Sequence, residues 1–155
     1  MVKEKKEKNH TPTIENRQAR FKFQVFETFE AGMVLKGMEV KSIRDSTISL
    51  QEGYVHVFKG ELLLEGVHIT PYNHKSTHTE IQPVRSIRLL MHKHEIDKIQ
   101  MDMKLKKLTM VPLKIYFKKS YAKILIGLAR GKSHVDKRQD IKKRDVEKKL
   151  RQHNR

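Results

Sequence analysis

Phe21, Phe23 and Val25 alternate with Lys22 and Gln24, the two-residue period of a half-buried strand. Phe29–Gly32 then reads as a turn. The mixed positions Val34, Leu35, Met38, Val40 and Ile43 read mostly as strand. Tyr54–Phe58 and Glu61–Val67 flank Lys59–Gly60, the pattern of a tight hairpin. Val111, Leu113, Ile115 and Phe117 alternate, and so do Ala122, Ile124, Ile126 and Leu128 after a break at Lys118–Ser120, which predicts a second hairpin. Pro112 has no N–H for a ladder, so it predicts an edge or a bulge there. Leu89, Ile96, Ile99 and Met103 fall on one helical face. His92 with Glu95 three residues later has the spacing of a capping box, although His is a poor N-cap. Loops are expected around Thr70–Pro83 and Met101–Lys107. Five or six short strands and one helix suit a small antiparallel barrel of the oligonucleotide-binding type, though the spacing fits other small antiparallel barrels equally.

Charge divides the chain into three. Residues 1–20 carry 6 basic and 3 acidic groups, and residues 131–155 carry 10 and 4; both ends are poor in large apolar residues. Neither can bury enough surface to offset an ordering entropy of ~1–2 kcal/mol per residue. The expected organisation is a flexible basic arm over 1–13, a folded body over 14–130, and a basic tail over 131–155 that is disordered when free. The net charge of +16 points to a polyanion, nucleic acid before an acidic membrane surface. The absence of cysteine excludes disulfides, thiolate zinc sites and a thiol nucleophile. No run approaches ~18 apolar residues, so no membrane span or membrane partner is expected. No apolar signal segment opens the chain, so the expected location is cytoplasmic.

Candidate chemistry is sparse. Nine histidines include the pairs His74/His78 and His92/His94, but no third ligand has metal-site spacing, so no metal and no cofactor are expected. His56, His68 and His92 are conceivable acid–base groups, yet no phosphate-cradling glycine loop or nucleophile motif accompanies them, and an enzyme is not expected. Glu30 and Glu39 read first as capping or ion-pairing carboxylates. In the tail, Ile141, Val146 and Leu150 form a thin apolar seam among Lys142, Lys143, Lys148, Lys149 and Arg151, the pattern of a segment that gains order on RNA.

Five blocks carry a family resemblance: FEAGMVLKGMEVKSIRDS (Phe29–Ser46), GELLLEGVHITPY (Gly60–Tyr72), RLLMHKHEI (Arg88–Ile96), LTMVPLKIYF (Leu108–Phe117) and IGLARGKSHVDKR (Ile126–Arg138). In order and spacing they resemble the SsrA-binding proteins (small protein B), partners of transfer-messenger RNA. The resemblance covers about residues 14 to 145. It implies an oligonucleotide-binding-type barrel with attached helices and a non-catalytic adaptor of trans-translation. Such an adaptor binds the tRNA-like domain of transfer-messenger RNA, takes no small-molecule substrate, and escorts that RNA to stalled ribosomes for peptide tagging. It assigns RNA binding to Asn16, Glu30 and Leu90, with Arg17, Arg20, Lys41 and Arg44 as phosphate contacts. It assigns the decoding centre and empty messenger channel of the small ribosomal subunit to the tail, through Lys132, Asp136, Lys137, Arg138, Lys142, Lys143 and Arg144, the tail becoming helical there. Four positions depart from the family pattern. Ile87 stands where a basic residue is frequent, which puts one phosphate contact in question. Lys107 replaces a usual Gly, Ser133 a common Lys, and Val135 a frequent aromatic or imidazole ring. The rival readings are a generic oligonucleotide-binding-fold RNA chaperone or ribosomal protein, and an RNA hydrolase using histidines.

Overall fold

The structure, a computed structural model, describes residues 11–72 and 83–153. Most of the basic arm, and His74 and His78, lie outside the described residues. The elements in chain order are β1 (Ile14–Glu15), α1 (Arg17–Lys22), β2 (Phe23–Met33), α2 (Gly37–Arg44), β3 (Ile48–Ser49), β4 (Tyr54–Phe58), β5 (Glu61–Glu65), β6 (His68–Ile69), β7 (Ile87–Leu90), α3 (Lys93–Lys106), β8 (Thr109–Lys118), β9 (Tyr121–Gly131) and α4 (His134–His153).

The strand pairings close on themselves. The order runs β8–β4–β5–β7–β2–β9, and β9 returns antiparallel onto β8, so six strands form a ring; β1 pairs with the distal half of β8. The alternating apolar positions point inward. Leu62, Leu64, Ile87, Met110, Ile115, Ile124, Ile126 and Leu128 are all at most 1% exposed. Ile96 and Ile99 of α3 join the same core. This is the mainly antiparallel β architecture with added helices that the sequence predicts.

Both predicted hairpins are present. Lys59 (φ 49°) and Gly60 (φ 77°) turn β4 into β5, the two left-handed residues that the twist of a tight hairpin requires. The expected irregularity at Pro112 is a bulge: Pro112 pairs with Ile126 and Lys114 with Leu125, leaving Leu113 over. Gly66 is obligatory, because a Cβ there would lie 2.3 Å from the Glu52 carbonyl oxygen.

Other segments differ from the sequence expectation, each for a local reason. Phe21 lies in α1, not in a strand, because the Asn16 side chain accepts from Ala19 N–H and caps that helix. Phe29–Gly32 is not a turn: β2 continues through it, pairing Glu30 with Leu125 and Gly32 with Lys123. Residues 37–44 are helix α2, whose buried face is Glu39, Ser42 and Ile43. Leu89 belongs to β7, and α3 runs to Lys106, through the expected loop. There Lys107 takes the left-handed C-cap conformation (φ 51°), the conformation that a glycine reaches without strain. The His92–Glu95 spacing does cap α3, with His92 N–H donating to the Glu95 carboxylate at 3.3 Å. Ile87 is a core residue at 1% exposure, so a phosphate contact at that point is not available to this chain.

Residues 134–153 of the tail form a single helix, α4, and none of its residues is buried. Ser133 and Asp136 cap it: the Ser133 hydroxyl donates to Asp136 at 2.7 Å, and Asp136 N–H donates back to that hydroxyl at 3.2 Å.

Glu39 is 1% exposed and held from several sides. Arg85 grips it with Nε at 2.5 Å and Nη2 at 2.6 Å, and Lys36 N–H donates at 2.7 Å. Burial resists ionisation, but the Arg85 fork and the Lys36 N–H outweigh it, so the carboxyl lies below its usual range. Its stabilisation is therefore present above the ordinary carboxylate pKa and fades as pH falls through the lowered one. Glu39→Ala leaves Arg85 half-buried and unpaired and is expected to cost about 3–5 kcal/mol in urea unfolding. Glu39→Gln should flatten the stability loss below about pH 4.3; an acid limb unchanged from wild type would contradict this account.

Candidate nucleic-acid interface

Outward positions on β2 alternate with inward ones, and Glu30 is the outward residue near its far end. Three neighbours converge on its carboxylate. Tyr116 Oη donates a hydrogen bond to Oε2, and the ammonium groups of Lys118 and Lys123 each lie 3.9 Å from Oε1. The Tyr116 hydrogen bond, with help from the two ammonium groups, holds the Glu30 carboxyl below its ordinary pKa against the opposing effect of burial. Burial and the bond to Glu30 push the Tyr116 phenol up to about 12. Glu30 is thus a fixed anion on a cationic protein, still exposed and able to accept further hydrogen bonds.

Leu90 reaches the same place through strand register. Gly32 pairs with Leu90 on β7 and with Lys123 on β9, which puts the three strands side by side. Gly32 leaves little room for anything else: a Cβ there would lie 3.3 Å from Leu90 Cβ. Leu90 itself is 54% exposed, the outward neighbour of the core residue Leu89 in the strand's alternation. Glu30, Leu90, Met91, His92, Glu95 and Lys123 line one open groove of roughly 440 Å³. A carboxylate, a bare aliphatic side chain and an ammonium group in one concavity offer base-edge acceptance, apolar contact and phosphate pairing together.

The other assigned residues occupy different places. Arg44 on α2 stacks over Phe117, beside Tyr116, and Lys41 lies 5.9 Å from the Tyr72 ring centroid. Arg17 and Arg20 are exposed on α1, at the opposite end of β2 from Glu30, about 23 Å away along seven strand residues. Asn16 is 6% exposed, its amide donating to the Leu50 and Pro112 carbonyls at 3.0 Å each while its oxygen caps α1, at the root of the helix that carries Arg17 and Arg20. In the tail, Lys132 is likewise committed, donating to the Arg20 carbonyl at 3.0 Å and to Asp140 at 2.6 Å. Asp136 caps α4. Lys137 is half-buried, Arg138, Lys142 and Lys143 are exposed, and Arg144 stacks over Phe21 at 5.4 Å.

Tyr116, Lys118 and Lys123 were not among the sequence candidates, and His92 was one only as a conceivable acid–base group. The alternation of Ala122, Ile124 and Ile126 inward already places Lys123 outward; the pairing that sets it beside Glu30 is long-range and invisible to periodicity. Among the described residues no cluster of three metal-ligating side chains occurs.

The family model described as SmpB protein matches residues 13–155. This chain belongs to the SsrA-binding protein (SmpB) family. An SsrA-binding protein of Microcystis aeruginosa is 52% identical over 130 residues, 84% of each chain. One from Chlorobaculum tepidum is 45% identical over 153 residues, 98% of this chain and 97% of that one. The SmpB fold is also seen in a solved structure described as "tmRNA-SmpB: a journey to the center of the bacterial ribosome". That chain is 43% identical, with a TM-score of 0.66 over 84% of this chain and 94% of that one.

Replacing Glu30 with Gln keeps the shape and removes the anion. Spectrophotometric titration should then show the Tyr116 phenol moving from about 12 back toward the ordinary tyrosine value of about 10. An unmoved titration would mean that burial alone sets the Tyr116 value.

Proposed function

We propose that this protein is the RNA-binding adaptor of trans-translation in its cell. It binds the tRNA-like domain of transfer-messenger RNA and delivers it to ribosomes stalled without a usable stop codon, where the nascent peptide is tagged. It acts by binding and performs no chemistry of its own. The observation that carries this reading is the Glu30–Leu90 groove: an anion and a bare leucine set in a strongly basic surface, in a chain matched to the SmpB family over residues 13–155. A fixed carboxylate on such a protein weakens general phosphate binding, so its use is selective. It accepts hydrogen bonds from base amino groups exposed in an RNA loop. Lys41 and Arg44 contact phosphates beside it, and Arg17 and Arg20 do so from α1. Its working place is the cytoplasm, with the ribosome; among the described residues no helix is long and apolar enough to cross a membrane.

The tail has a separate task. Asp136, Lys137 and Arg138 open α4, and Lys142, Lys143 and Arg144 continue its cationic face into the small-subunit decoding centre and the empty messenger channel. Residues 14–130 fold and bind the RNA without it.

Titrating RNA binding against salt tests the first part. Log affinity should fall by roughly 0.7–0.9 per phosphate neutralised, and Lys41→Ala or Arg44→Ala should each lower that slope by about one. Glu30→Gln should weaken binding without lowering the slope; a lowered slope would assign Glu30 to the phosphate chemistry.

The second part is tested by pairing RNA binding with tagging in a reconstituted translation system. Lys137→Ala with Arg138→Ala should bind transfer-messenger RNA almost as wild type does and fail at tagging. Val146→Pro should behave alike, because a proline costs ~3 kcal/mol inside a helix. Full tagging by the proline variant would remove the need for helix in the tail.

A further inference from the structure

β2 carries a second feature, four residues before Glu30. Val25 pairs with Ala129 and Glu27 with Leu128, so Phe26 is the extra residue of a β-bulge. Phe26 shares the outward side of β2 with Gln24, Thr28 and Glu30, and at 54% exposure it is barer than the half-buried Phe23 and Phe29. The Arg130 guanidinium lies 5.8 Å from the ring centroid and donates to the Lys106 carbonyl at 2.8 Å, which anchors it to the end of α3. Phe26, Glu27, Lys106, Leu108, Leu128 and Arg130 line a groove of roughly 290 Å³. Its floor is aliphatic, one wall is aromatic, and its rim is cationic. The carboxylates around it are already matched: Glu27 pairs with Lys98 at 2.8 Å and Asp102 with Lys106 at 3.1 Å. Lys104 and Lys107 add exposed positive charge at the end of α3.

We propose that the Phe26–Arg130 groove is a stacking site for one unpaired nucleotide of the same RNA that meets Glu30 and Leu90. The aromatic face stacks the base, Arg130 supplies the cation at its edge, and the α3 lysines hold the flanking phosphates. The charge selects RNA over a neutral protein surface, and the size suits a single planar ring system rather than a helix. Phe26 and Glu30 are outward residues of one strand, about 13 Å apart, so one RNA can reach both. The proposal rests on the RNA-binding reading above and extends its footprint along β2.

The chain contains no tryptophan, which makes a direct test available. Phe26→Trp in the full-length protein places a single fluorophore in the groove. Phe58→Trp serves as control, since Phe58 is also 54% exposed and also has a cation, Lys59, over its ring, but sits at the β4–β5 hairpin. The probe is the tRNA-like domain of transfer-messenger RNA, with binding followed independently by mobility shift. Emission from the Phe26→Trp variant should be quenched as the RNA saturates, while the control stays bright. Phe26→Ala should lower affinity on the order of tenfold with the salt slope unchanged, and Arg130→Gln should lower the slope by about one. Bound RNA without quenching, equal quenching at both positions, or unaltered affinity of Phe26→Ala overturns the stacking site and leaves the adaptor reading intact. Failure of the wild-type protein to bind this RNA overturns both.

Discussion

The antiparallel pairing of β8 with β9 closes the sheet, and the rest of the molecule is arranged around that closure. Both ends of the six-strand ring are joined, although β7 covers β2 only at Gly32 and Met33. The interior is filled by aliphatic side chains at every second position. What the protein offers to a partner must then come from the outward positions, and from helices added between strands. The groove at Glu30 and Leu90 illustrates both sources. β2, β7, β8 and β9 supply Glu30, Leu90, Tyr116 and Lys123, and the first turn of α3 with its cap supplies His92 and Glu95.

Carboxylates do two different jobs in this basic chain. Glu39 is buried, gripped by a guanidinium and a backbone N–H, and serves the junction of α2 with the barrel. Glu30 is exposed and ringed by a phenol and two ammonium groups that keep it ionised without covering it. The distinction is one of solvent access. A buried pair that loses a partner destabilises the fold, whereas an exposed anion costs the fold little and remains available to a ligand.

The alternation of Val111–Phe117 and Ala122–Leu128, and the Lys59–Gly60 turn, are local signals, and the corresponding hairpins were legible in the sequence. The Glu30–Leu90 pairing was legible only through family resemblance, because sixty residues separate the two and strand register alone unites them. Residues 37–44 misled because their periodicity mixes with a buried carboxylate, and the partner that makes such burial tolerable, Arg85, comes from far along the chain. Asn16 was singled out only through family resemblance, and periodicity gives no sign that its amide fits between two buried carbonyls. The tail's composition argues against a core, and α4 indeed buries none of its residues; its visible support is local, the Ser133–Asp136 cap at its start.

Among the described residues that helix meets the body along its first half, through Lys132 with Asp140 and Arg144 over Phe21. Twenty residues of α-helix span about 30 Å, and the nine beyond Arg144 span about 13 Å. A tilt of ~10° about Arg144 moves the far end by only about 2 Å. The outer half of α4 is therefore a short pointer, whose aim is set where Arg144 rests on Phe21, and it carries Lys148, Lys149 and Arg151 along that fixed line.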